Sequence, residues 1–194
     1  MPPKVKVTKE SILHAAVELV REGGEHSLNA RAIAARLGCS TQPVFSNYAT
    51  MEELQAATVA AAYQRYLDFL QAEAEQGKYP RYKAFGMAYI GFAKAEPRLF
   101  KLLFMRDRTG EDLSLPPDFE ESVGMIMQTN DVTREKAMLM HLELWACVHG
   151  LGVMAATSFL SLEWDLISQM LSDVYQGIRS RNAGKEDSHE RHQD

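Results

Sequence analysis

The chain has 194 residues, enough for one or two small domains with a sizeable core, and carries a net charge of −5 at pH 7. Hydrophobic residues make up 46% and charged residues 24%, which is the balance of a soluble globular chain rather than a disordered or fibrous one. No apolar run of about 18 residues stands out, MPPKVKVTKE lacks a signal-peptide core, and Cys39 and Cys147 make no metal-type spacing. No membrane partner, cofactor or metal is therefore expected, and a reducing cytoplasmic setting is the default.

Helical periodicity runs through nearly all of the chain, and no strand alternation competes with it. Thr8 is the expected cap of a first helix, in which Ile12, Ala15, Ala16, Leu19 and Val20 form a stripe, and Gly23 and Gly24 end it. Ser27 is the expected N-cap of a second helix, with Ile33 and Leu37 one turn apart on its inner face. The chain must then reverse at Gly38, where positive φ costs glycine nothing sterically. Ser40 or Thr41 caps a third helix, with Val44, Phe45 and Tyr48 as its apolar anchors. Two short helices around such a turn are the layout of a helix-turn-helix, whose second helix docks in the DNA major groove.

Thr50 and Glu53 have capping-box spacing, opening a long helix to about Gln76 that Gly77 and Pro80 end. Residues 81 to 95 form another helix, with Tyr82, Phe85, Tyr89 and Phe92 as an aromatic face. Pro97 suits the first turn of a helix through Leu99, Leu102, Leu103 and Met105. Residues 107 to 117 form a long loop, and helix resumes from about Asp118 to Asn130. Asp131 or Thr133 caps a long apolar helix from about Arg134 to Thr157. Ser161 caps a last helix ending near Arg179, and residues 181 to 194 read as a disordered tail. The expected fold is all-α, with about nine helices. A three-helix helix-turn-helix head over residues 1–50 precedes a larger ligand-binding and dimerising bundle over residues 51–180.

Charge is divided unevenly. Residues 1 to 50 hold six Lys and Arg against four Glu, a balance of +2, so the remainder carries −7. The head is mildly basic, which suits phosphate, and the body is acidic. Thr41, Gln42, Ser46 and Asn47 lie on the polar side of the third helix, where Gln and Asn suit adenine and hydroxyls suit phosphate or base edges; the alternative is a solvated helix face. Ser40, Phe45 and Tyr48 complete this candidate surface, and Pro43 can touch a thymine methyl. Arg31 can reach phosphate from the first turn of the second helix. Lys4, Lys6 and Lys9 form either a groove-entering arm or a solubilising tail. Cys39 is an oxidisable thiol in the turn or simply a filler behind the third helix.

In the body, Phe85, Tyr89, Phe92, Phe104, Met125, Leu142 and Trp145 can wall an apolar pocket between helices, or serve as plain core. His141, Trp145 and His149 share one helix face, but two histidines eight residues apart are separated by about 12 Å along the axis, too far to share a metal. His149 can line the pocket or sit at a helix crossing. The last two helices carry apolar stripes that include Leu151, Met154, Ala155, Leu166, Met170 and Val174, suited to a four-helix interface between two copies or to packing within one.

These residues resemble the TetR family of bacterial transcription regulators. The head pattern stands here as Ile12, Ala15-Ala16, Ser27, Ile33-Ala34, Gly38-Cys39-Ser40, Phe45, Tyr48 and Glu52-Glu53-Leu54. In the body, Ala93, Pro97, Phe100 to Phe104, and Leu144 to Gly150 resemble one branch in which a Trp and a His-Gly pair recur. The resemblance implies an all-helical homodimer without enzymatic activity. Its head would bind a palindromic operator in double-stranded DNA, and a small-molecule inducer in the body would release it, repression being the expected mode. Ser27 replaces the family's Thr, Phe45 its Tyr, Tyr48 its Phe and Met51 its Lys. The head thus lacks a phenol and a cation near phosphate, and each missing cation lowers the salt slope of binding by about one unit. Two rivals are a TetR-fold protein with weak or lost DNA binding, and a helical metal-binding or enzymatic bundle. The second rival would need convergent ligands or a nucleophile–base pair, and the sequence has no Glu-x-x-His, His-x-x-x-His or Gly-rich phosphate motif.

Overall fold

A computed structural model describes residues 7–109 and 117–183, and these contain nine α-helices and no strand. In chain order the helices are α1 (Lys9–Gly23), α2 (Ala30–Leu37), α3 (Gln42–Asn47), α4 (Met51–Glu75), α5 (Arg81–Ala95), α6 (Pro97–Phe104), α7 (Pro117–Asn130), α8 (Arg134–Ala156) and α9 (Trp164–Ala183). The described residues fall into two compact units, one up to residue 68 together with 95–107 and the other of residues 69–94 together with those from 108 onward.

In the first unit, local chemistry sets the helix ends. The Thr8 hydroxyl accepts from the Ser11 N–H at 3.2 Å while the Ser11 hydroxyl accepts from the Thr8 N–H at 2.9 Å, a reciprocal capping box. Gly24, with φ 84°, takes the chain out of α1. The expected cap of α2 is corrected by two residues. Asn29 caps that helix, its side chain accepting from the Ala32 N–H at 2.9 Å, while Ser27 sits in a 3-10 turn and donates to the carbonyls of Leu19 and Gly24 at 2.6 Å each. Gly38 closes α2 in the left-handed region at φ 63° and ψ 35°. The Cys39 N–H reaches the Ala34 carbonyl and the Gly38 N–H the Ala35 carbonyl, the paired bonds of a Schellman end. At α4 the capping box is half formed. Thr50 Oγ1 accepts from the Glu53 N–H at 3.2 Å, but the Glu53 carboxylate turns to the Ala49 N–H at 2.7 Å.

Ile12, Ala15 and Ala16 of α1, Ile33 of α2, Val44 of α3, Tyr48 just beyond it, and Leu54 of α4 together form the core beneath the turn. Val44 and Tyr48 are the side chains that seat α3. Phe45, expected as a third anchor, is instead 50% exposed. Helix α6 returns to pack on α1 with Leu99, Phe100, Leu102 and Leu103 buried. Beside that contact a carboxylate is buried: Glu96, the residue before Pro97, is 8% exposed. Its two oxygens receive Arg21 Nε from α1 at 2.9 and 2.8 Å, and one also receives Arg65 from α4 at 2.8 Å. Glu18 adds a second carboxylate at 3.3 Å from Arg21 and 3.8 Å from Arg65. Charge-assisted bonds of this kind are how a buried carboxylate is tolerated.

In the second unit, α5 is buried along most of its length, from Ala84 to Ala93. At Gly86 the helix faces α8 and α9, since a Cβ there would come into contact with the Val148 and Leu171 side chains at 3.4 Å. Helix α8 packs against both α7 and α9. By length and composition it is apolar enough to cross a membrane, contrary to the expectation that no such run exists, and 39% of the qualifying window is buried within the protein. Its cap is Thr133, which accepts from the Lys136 N–H at 3.4 Å. Helix α9 begins at Trp164, three residues beyond the expected cap Ser161, and extends through residues 181–183, which were expected to be disordered. The rest of the expected tail, residues 184–194, and most of the expected loop, residues 110–116, lie outside the described residues.

Candidate nucleic-acid and ligand sites

Helix α3 is a single short turn-and-a-half whose orientation is fixed by Val44 and Tyr48 beneath it. Gln42, Phe45 and Ser46, spaced i, i+3 and i+4, are exposed together on its other side. Ser40 and Arg31 are exposed as well, while Thr41, Pro43 and Asn47 are half-buried. Two of the polar side chains are engaged with the helix's own backbone. Ser46 Oγ donates to the Gln42 carbonyl at 3.0 Å, and Asn47 Nδ2 donates to the Pro43 carbonyl at 2.8 Å. Tyr48 differs from its neighbours in the candidate surface, because its ring is 2% exposed and part of the core. Lys9 Nζ lies 4.6 Å from the Tyr48 ring centroid and 3.5 Å from Glu53, so that cation is held near the start of α4. Burial first, then Glu53 and Glu10, push the Tyr48 phenol up.

The second unit joins α5 and α8 by two phenol–imidazole pairs. Tyr89 shares a hydrogen bond with His149 Nδ1 at 2.8 Å, and Tyr82 shares one with His141 Nδ1 at 2.9 Å. Trp145 stacks on the His149 ring, with centroids 5.0 Å apart and planes inclined by 19°, and remains 41% exposed. Phe119 of α7 meets His141 edge-on at 4.6 Å. Burial lowers His141 to about 4 against the opposing pull of Asp118, and burial lowers His149 as well. Burial raises both phenols far above the ordinary tyrosine range. The imidazoles are thus neutral near pH 7, and the set is an uncharged, aromatic, hydrogen-bonding one.

Of the residues expected to wall a pocket, Tyr89, Trp145 and His149 come together. Phe85 is buried with the Arg81 guanidinium 5.5 Å from its centroid, and Phe92 is fully buried against Phe69. Met125 is half-buried on α7, and Leu142 is exposed. Phe104 belongs to the first unit, where it packs on Tyr66 and Phe100, each at 5.1 Å. The Tyr82–His141 pair was not among the expected site residues. Its signal was present in the near-equal spacing of Tyr82 to Tyr89 and of His141 to His149. Among the expected dimerisation residues, Leu166 is 46% exposed, Met154, Ala155, Met170 and Val174 are half-buried, and Leu151 is buried within the chain. Among the described residues no cluster of three His, Cys, Asp or Glu is arranged to hold a metal ion.

Residues 82–173 match the family model described as Tetracyclin repressor-like, C-terminal domain. No curated protein matches the chain significantly. Among solved structures, a TetR transcriptional regulator from Streptomyces coelicolor aligns with a TM-score of 0.65 at 19% identity, covering 90% of this chain and 98% of that one. A TetR-like transcriptional regulator from Rhodococcus sp. RHA1 aligns with a TM-score of 0.59 at 19% identity, covering 95% and 100%. The multidrug binding protein EbrR, solved in complex with imidazole, aligns with a TM-score of 0.55 at 14% identity, covering 86% and 88%. The chain therefore has the all-α fold of TetR-like transcriptional regulators, with a tetracycline-repressor-like match over residues 82–173.

Proposed function

We propose that this chain is a cytoplasmic, homodimeric TetR-family transcriptional repressor, of the branch with a Trp and a His-Gly pair, whose residues 1–50 bind a palindromic operator and whose residues 51–180 bind an apolar or aromatic inducer. The observation that carries the reading is the seating of α3. Val44 and Tyr48 are sunk in the core, so Gln42, Phe45 and Ser46 are presented outward at the spacing a groove-reading helix needs. The neutral Tyr89–His149–Trp145 set supports an aromatic ligand without negative charge, because an anionic group would find no cation in it, and the carboxylate of Asp118 bears on Tyr89. Exposed Leu166 and the half-buried Met170 and Val174 support an interface along α9. Induction requires a ligand that prefers the DNA-free conformation; equal affinity for both forms would shift nothing.

A gel-shift titration with the intergenic DNA upstream of the coding sequence tests the reading, run at low and then physiological salt. A discrete complex that survives competitor DNA is expected, and Gln42→Ala should weaken it roughly ten-fold, the lower part of the range for a bidentate base contact. A second reading keeps the fold without DNA binding. It is favoured by residues 37 to 51 having no charged side chain, and the absence of any competitor-resistant complex would establish it.

A further inference from the structure

We infer that the reading surface of α3 selects A·T base pairs and recognises thymine through its methyl group, with Phe45 as the specificity-determining side chain. The inference rests on the DNA-binding reading above and adds the class of sequence that the surface accepts.

Guanine is read in the major groove chiefly by Arg or Lys, donating to O6 and N7. Residues 37 to 51, which include all of α3 and both flanking turns, contain neither, nor any acidic residue to accept from cytosine N4. What α3 exposes is a Gln42 amide that makes no hydrogen bond among the described residues, a half-exposed Phe45 ring, and a Ser46 hydroxyl whose proton is already given to the Gln42 carbonyl. A side-chain amide pairs with adenine N6 and N7. A phenyl ring has no polar group to offer a base edge, and the one apolar feature of the major groove is the C5 methyl of thymine. Ser46 presents lone pairs only, which suit adenine N6 or cytosine N4 and do not discriminate. Asn47 has one amide proton committed to the Pro43 carbonyl, which leaves Gln42 as the principal polar reader.

Phe45 is also where packing and recognition separate. It lies next to Val44, which is 1% exposed, yet it is itself 50% exposed. The core does not require it, so truncating it should leave the fold intact. Removing a single buried methyl from water-excluded contact changes affinity by about four-fold.

The test begins with selection of a randomised DNA duplex library against the full chain. The enriched half-sites are then resynthesised with deoxyuridine in place of thymidine at single positions, and binding of wild type, Phe45→Ala and Phe45→Leu is measured by fluorescence anisotropy. The expected result is A·T pairs at the positions that α3 protects. Deoxyuridine at one of these should weaken wild-type binding about four-fold, Phe45→Ala should be insensitive to it, and Phe45→Leu should retain part of the sensitivity. Enriched duplexes with G·C pairs at those positions, or wild-type binding indifferent to every deoxyuridine, would overturn the inference while leaving DNA binding intact. If selection enriches no duplex at all, the DNA-binding reading itself fails and the inference fails with it.

Discussion

At the residue scale, His141 shows how burial and a single partner set a titration. Its ring is packed among Tyr82, Phe119 and the buried face of α8, and burial holds the imidazole at about 4 although Asp118 opposes the shift. In the unfolded chain the same group titrates at about 6.5. Between these values the unfolded state binds the proton and the folded state does not, so stability is fully present above about 6.5, falls as pH drops through the window, and levels off below about 4. His149, also lowered by burial, acts in the same direction. His141→Gln keeps a partner for the Tyr82 hydroxyl and removes the titration. Its thermal midpoint should fall less between pH 7 and pH 5 than that of the wild type, and equal slopes would show that His141 is not the group responsible.

At the element scale, what was legible in the sequence was what neighbouring residues decide. Thr8, Thr133 and the positive φ of Gly38 depend on bonds spanning three to five residues, and the spacing of polar and small residues reveals them. The start of α2 was misread because Ser27 and Asn29 are both good caps. The choice between them was made by the 3-10 turn, which turns the Ser27 hydroxyl back to Leu19. Asn29→Ala should therefore destabilise the protein by about 1 kcal/mol in urea denaturation, the usual cost of a lost N-cap. A change below a few tenths would mean that Ser27 still serves α2. The exposure of Phe45 was hidden for a related reason, since whether an aromatic at the fourth position of a six-residue helix turns in or out depends on how α1 and α4 fill the space beneath. Nor could any local pattern announce that Glu96 would find Arg21 and Arg65, which lie 75 and 31 residues away in the chain. A Glu before a Pro reads only as a helix start.

At the scale of the whole molecule, α8 and α9 each leave large apolar side chains uncovered. Leu139, Leu142 and Trp145 recur every three residues along α8, and Leu166 opens α9; each is more than 40% exposed. Scattered exposed leucines are ordinary, whereas apolar side chains grouped along one helix, as on the first half of α8, mark a partner surface. If that partner is a second copy, Leu166→Glu places two carboxylates in an apolar seam and should convert a dimer into a monomer at micromolar concentration, read by sedimentation velocity. A wild-type chain that already sediments as a monomer would remove the homodimer from the proposal.

The carboxylate at the head of α6 bears on how this protein can be taken apart. Arg21 belongs to the N-terminal fifty residues, but one of its two carboxylate partners, Glu96, and the leucines that shelter α1 come from a segment translated some seventy residues later. A fragment trimmed to the first three helices would retain every outward side chain of α3 and yet leave the oily flank of α1 in water. Excision at the obvious boundary would thus yield a sticky, frayed peptide instead of a compact module, and any graft of this module onto another protein must carry the returning helix with it.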